Sequence, residues 1–132
     1  MRDRITIETE GRVSVADITD QVSDVVPLDV GQGVCTVFVP HTTAGVTVNE
    51  AESRLIADLE AALADLVPTG DGYRHDAVDD NADAHLRSVL LGPSVTIPVS
   101  TGDLDLGTWQ SVLLFEGDGP RTRQVEVSVL SA

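Results

Sequence analysis

"SVTIPVSTGDLDLGTWQSVLLFEGDGPRTRQVEVSVL", residues 94–130, strings three strand-like runs together. "SVTIPVS", "TWQSVLLFE" and "TRQVEVSVL" are rich in β-branched and aromatic residues, and Gly-containing turns at "TGDLDLG" and "GDGP" divide them. Strands grouped in this way, with the helices gathered elsewhere in the chain rather than alternating as βαβ units, argue for an α+β fold built on a largely antiparallel sheet. The predicted architecture is a sandwich with two or three helices.

Upstream, "RITIETE" and "RVSVADIT" alternate with period two around Gly11 and predict a strand pair joined at that glycine. Val22, Val25 and Val26 at helical spacing, with Thr19 or Asp20 as cap, predict a short helix that ends before Pro27. "GVCTVFVP" and "GVTVNE" read as two further strands separated by "HTTA". "SRLIADLEAALADLVP" sets Leu55, Ile56, Leu59, Leu63 and Leu66 at i, i+3 and i, i+4 steps, a helix that closes at Pro68. A Gly- and Asp-rich loop from Thr69 to Asp80 precedes a second such helix, from about Asn81 to Leu90. Asp79 or Asp80 is its expected cap, Leu86, Val89 and Leu90 are expected to face the core, and Gly92 and Pro93 end it.

The chain of 132 residues suits one domain, residues 1–132, and 42% of it is hydrophobic while only 3% is aromatic. Its core must therefore be aliphatic. Eight basic residues, all Arg, against 22 acidic ones give a net charge of −14, and no basic stripe exists for a nucleic-acid backbone. Lys-free, Asp-rich composition suits a halophilic, salt-rich cytoplasm, where counter-ions screen self-repulsion. Loss of circular dichroism on dialysis into dilute buffer would be the mark of it. A single cysteine excludes an intrachain disulfide, the charged N-terminus has no signal-peptide core, and no apolar run reaches membrane-spanning length. A soluble cytoplasmic protein without a membrane partner is expected.

The histidines are the chemical signal. His41 follows a strand, His75 lies in the acidic loop "YRHDAVDDNADAHL", and His85 falls on the flank of a helix's apolar face. Read singly, each is an ordinary structural or surface residue. Together they could form an open three-imidazole site for a divalent metal, Zn-like by ligand type, with Asp76, Asp79 or Asp83 orienting a ring and Asn81 in the same cleft. Cys35 is either a nucleophile or a small core hydrophobe; in an extended strand it lies roughly 20 Å from His41. Glu50 is either a general base or a solvated carboxylate. Trp109, between Thr108 and Gln110, either stacks a heteroaromatic ligand or fills the core. Arg121 and Arg123 could hold one small anion.

"CTVFVPHTTAGVTVNE", the leucine-rich helix, "YRHD…DDNADAHL", "LLGPSVTIPVSTG" and "LGTWQSVLLFEGDGPRTRQVEV", in this order, resemble the secondary thiamine-phosphate synthase family, also called YjbQ-like. The resemblance runs from about Ile5 to Leu130. It implies an α+β sandwich that forms a homotrimer with clefts near subunit boundaries. It also implies weak synthesis of thiamine phosphate from hydroxymethylpyrimidine diphosphate and a thiazole phosphate, with release of pyrophosphate. On that basis His41, His75 and His85 would ligate the metal, Cys35, His41 and Glu50 would be catalytic, and Asn81, Thr108, Trp109 and Gln110 would line the ligand pocket. The cofactor implied is a divalent cation, Zn²⁺ or, with a diphosphate substrate, Mg²⁺. Asp76 stands where Asn is expected, adding negative charge beside the histidines. Two other readings stay open: a Zn-dependent hydrolase of a small molecule, and a non-catalytic trimeric protein that binds a metal or small ligand.

Overall fold

A computed structural model describes all of residues 1–132. The strands are β1 (Arg2–Glu8), β2 (Ser14–Asp17), β3 (Gln32–Phe38), β4 (Ala44–Asn49), β5 (Ser94–Ser100), β6 (Asp103–Leu104), β7 (Ser111–Glu116) and β8 (Thr122–Ser131). The helices are α1 (Thr19–Ser23), α2 (Ser53–Leu66), the single turn α3 (Asp76–Asp79) and α4 (Ala82–Leu91). The α+β class holds, and every strand pairing is antiparallel. α3 is a helical turn inside the segment read as loop.

The strands form two sheets, one of five in the order β1-β8-β3-β5-β6 and one of three in the order β2-β7-β4. Ile7, Cys35, Val37, Ile97, Val99, Val125, Val127 and Val129 of the first face Ala44, Val46, Val112 and Leu114 of the second, and Ile18 and Val22 close one end. This is the aliphatic core that the composition required. On the other face of β7, Leu113 and Phe115 are also buried, with Leu63 of α2 and Ala84 of α4 among the buried residues of the covering helices. β7 is therefore covered on both sides, which is why its sequence is a continuous apolar run rather than an alternation.

The expected pairing of the first two strands does not occur. β1 lies against β8, with Ile5 opposite Val125, whereas β2 lies against β7, with Val15 opposite Phe115. Gly11, at φ 66°, turns the chain from one sheet to the other. Period-two alternation marks a strand but is silent about its partner.

α4 is rotated relative to the expectation. Ala82, Asp83, Ala84, Arg87 and Ser88 are buried, while Leu86, Val89 and Leu90 are exposed, Val89 to 77%. Small side chains allow the close approach: a Cβ on Gly45 would come within 3.0 Å of the Gly92 carbonyl oxygen, and one on Gly117 within 3.0 Å of the Ala84 Cβ. The buried charges are paired. Asp83 accepts from both terminal nitrogens of Arg12 at 2.9 Å and from Thr69 at 3.0 Å, and stands 3.3 Å from Arg87, whose guanidinium also donates to the Val67 carbonyl. Nor do Asp79 and Asp80 cap this helix. Asp80 adopts a left-handed conformation at φ 53°, and Asp76 Oδ1 accepts the Ala82 N–H at 2.9 Å instead. The carboxylate suspected of serving the metal thus holds the start of α4.

The hydrogen bond from Arg12 leads in holding the Asp83 carboxyl down at about 2, against burial, which pushes it up; Thr69 and the charges of Arg12 and Arg87 add to the lowering. Its contribution to stability is complete above the ordinary value of 3.8 and is lost as pH falls toward about 2. Asp83→Asn leaves Arg87 buried without a counter-charge and should cost about 3–5 kcal/mol, seen as a lower urea midpoint at pH 7. The gap between variant and wild type should narrow below pH 4; an equal midpoint at pH 7 would show the pair to be dispensable.

Candidate functional site

Pairing of β3 with β8 stops at Phe38 opposite Glu126, and Pro40 follows, which has no N–H to extend the ladder. His41 takes over the vacated edge of β8. Its Nε2 lies 3.0 Å from the Gln124 amide nitrogen and 3.1 Å from the Gln124 carbonyl oxygen, so that atom is committed to the strand in either tautomer and Nδ1 is left. Burial first, then the charge of Arg123, lowers the affinity of this ring for a proton, which keeps it neutral at pH 7.

His41 and His85 line one polar cavity of about 380 Å³ with Thr42, Thr43, Asp79, Asn81, Asp118, Arg121 and Arg123. His75, just before α3, stands edge-on to His85 with ring centroids 4.7 Å apart and an interplanar angle of 80°. Its Nε2 is 3.1 Å from Asn81 Oδ1. The chain's three histidines, drawn from a strand end, a loop and a helix flank, thus gather at one end of the sandwich. Donor type suits a Zn-like ion, but no three His, Cys, Asp or Glu side chains stand close enough together to hold one.

Arg123 is spent on structure: it pairs with Glu116 inside the protein, and donates to Thr43 Oγ1 at 2.8 Å. Thr9 Oγ1 also donates to Glu116, at 2.7 Å. Arg121 donates from Nε to the Asp118 carbonyl at 2.7 Å and from Nη2 to Asp118 Oδ2 at 3.0 Å. Asp118, the one charged lining residue not expected from the sequence, lies in the "GDGP" segment, which is legible there only as a turn.

The remaining candidates are elsewhere. Cys35 is fully buried in the core, and burial pushes its thiol up to about 11, so it is a core hydrophobe and not a nucleophile. Glu50, Thr108 and Trp109 meet in a separate shallow depression of about 400 Å³ with Asp17, Glu52 and Ser111. The strand expected to contain Trp109 begins only at Ser111, and the indole is 73% exposed in the preceding turn, not in the core. Gln110 closes that turn by accepting the Gly107 N–H at 2.8 Å.

Two antiparallel sheets backed by helices, with a histidine-lined polar cavity at one end, define a small α+β sandwich protein. The chain belongs to the YjbQ-like family (UPF0047 protein YjbQ-like), which matches residues 3–132. It is 49% identical over 126 residues to a UPF0047 protein of Archaeoglobus fulgidus, covering 96% of this chain and 98% of that one. A UPF0047 protein of Mycobacterium tuberculosis is 41% identical over 130 residues, covering 96% and 95%. Among solved structures, a hypothetical protein from Aeropyrum pernix K1 superimposes with a TM-score of 0.95 at 43% identity, covering 100% of this chain and 99% of that one. A YbjQ-like protein of unknown function from Sulfolobus solfataricus P2 gives a TM-score of 0.95 at 36% identity, covering 100% and 97%. These relatives establish the family, and their names state no reaction. No helix is long and apolar enough to cross a membrane.

Iodoacetamide should leave Cys35 unmodified in the native protein and label it only after unfolding. Native labelling as fast as that of the unfolded chain would return Cys35 to the list of nucleophiles.

Proposed function

We propose that the histidine cavity supports a weak thiamine-phosphate synthase-like transfer. The observation that carries this reading is one polar cavity lined by His41 and His85, with His75 packed edge-on against His85 from a third segment. In the reaction, a thiazole phosphate attacks through its ring nitrogen the exocyclic methylene of hydroxymethylpyrimidine diphosphate. The N–C bond forms, the C–O bond breaks, and its electron pair leaves on pyrophosphate. No three candidate side chains stand close enough to form a ready-made metal cage, so a divalent cation, Zn²⁺ or Mg²⁺, would enter with the diphosphate and supply charge neutralisation for it. The chain's own share is to present the imidazoles of His41 and His85 and the Arg121 guanidinium toward the leaving group, with Asn81 orienting His75 beside them. Asp79 and Asp118 beside Arg121 limit how much anionic charge the cavity accepts without the cation, in keeping with weak activity.

A homotrimer is part of the same reading. Its support is the exposed apolar face of α4, where Leu86, Val89 and Leu90 stand in water on a chain of charge −14. Residues 84–102 contain no Asp or Glu, which makes this flank the place where copies of an acidic chain can meet with least repulsion. Glu50, Thr108 and Trp109, remote from the histidines within one chain, would then reach a neighbour's cavity rather than their own. A reducing cytoplasm, where the free Cys35 stays a thiol, is the setting proposed.

Purified protein in high salt should release pyrophosphate from the two precursors together. His41→Ala should lower the rate by about 100-fold or more. His75→Ala and His85→Ala should each lower bound metal. Equal rates in wild type and His41→Ala would sink the transferase, phosphate release without the thiazole partner would point to hydrolysis, and unchanged metal content in both other variants would sink the three-histidine site. Light scattering should give three times 13.9 kDa.

A further inference from the structure

Asn81 is 7% exposed, and both ends of its amide are engaged. Nδ2 donates to Asp118 Oδ2 at 2.9 Å, and Oδ1 stands 3.1 Å from His75 Nε2. The donor and acceptor chemistry of this chain leaves one arrangement. Burial alone would push the Asp118 carboxyl up, but hydrogen bonds from Asn81 and Arg121, with the charges of Arg121 and Arg12, more than offset that and lower it. An ionised carboxylate only accepts. The group that Asn81 turns toward Asp118 must therefore be its NH₂, and the group facing His75 must be its carbonyl oxygen. That oxygen also only accepts, so the proton of a neutral His75 ring must sit on Nε2.

We propose that Asp118 and Asn81 are positioning residues that lock His75 in its Nε2–H tautomer and leave Nδ1 as the ring atom free for a ligand or a proton. Arg121 holds Asp118 in place from two nitrogens, at 2.7 and 3.0 Å. Without Asp118, a half-turn of the Asn81 amide would change almost nothing in shape, yet it would aim NH₂ at His75 and move the ring proton to Nδ1. Residue 118 thus decides, through Asn81, which nitrogen of His75 carries the proton. The consequence for function rests on the histidine cavity being the working site, whereas the tautomer itself can be measured with neither metal nor substrate present.

Long-range ¹H–¹⁵N correlation spectra of metal-free, ¹⁵N-histidine-labelled protein in high salt, at a pH where His75 is neutral, report the tautomer directly. Wild type should show a protonated Nε2 and an unprotonated Nδ1. Asp118→Ala should shift the population toward Nδ1–H, and Asp118→Asn, whose side-chain oxygen still accepts from Asn81, should restore the wild-type pattern. Circular dichroism of each variant reports folding, and Asp118→Asn keeps the comparison available if Asp118→Ala is unstable. An Nδ1–H tautomer in wild type, or an unchanged tautomer ratio in Asp118→Ala, overturns the proposal. Failure of pyrophosphate release alone would sink the transferase and leave the tautomer standing.

Discussion

Asp83 is the carboxylate around which the histidine-bearing end of the protein is arranged. Buried to 1% exposure, it is enclosed by Arg12 from the turn between the sheets, by Arg87 from its own helix and by Thr69 from the loop before α3. A charge removed from water has to meet its partners, and meeting these fixes the rotation of α4 about its axis. Asn81 then comes to the buried start of the helix, His85 to the flank beside Ser88, and the three apolar residues outward. The same enclosure ties the 9–13 turn to the loop that carries His75.

Around that anchor, the cavity is built where regular pairing runs out. Pairing with β3 stops at Glu126, short of the start of β8 at Thr122, and the imidazole of His41 satisfies part of the strand edge that remains. Behind it, Arg123 and Glu116 close the end of the core together with Thr9 and Thr43, and no buried side-chain polar atom lacks a partner. The site is therefore rigid on the sheet side, through main-chain contacts and a buried ion pair. On the other side it depends on side-chain hydrogen bonds running from Arg121 through Asp118 and Asn81 to His75.

Much of this was legible. The alternation of β8, with Val125, Val127 and Val129 in phase, marked a strand with one face buried, and the leucine spacing of α2 marked a helix. The histidines could be named as a set because there are only three of them. What periodicity could not supply was the environment of each face. In α4 the spacing of Leu86, Val89 and Leu90 predicts the inner face, since apolar stripes usually pack inward. Sheet approach through Gly45 and Gly117 instead selects the small residues, and paired charges make the polar side the buried one. In "TWQ" the aromatic residue lengthened the apparent strand, although Gln110 folds back onto Gly107 and leaves Trp109 outside.

By itself, the sequence determined the element types, the aliphatic character of the core and the identity of the imidazoles, because these follow from residue chemistry and from periods of two and 3.6 along a local stretch of chain. Tertiary structure alone decided which strands pair, which side of α4 is covered, that Cys35 is core, and that Glu50 and Trp109 stand apart from the histidines. It also changed the role of Asp76 from a suspected metal neighbour to a helix cap, and brought Asp118 into contact with Asn81 from 37 residues away. Each of these depends on partners distant in the chain, and no local pattern encodes the direction from which a distant donor will arrive.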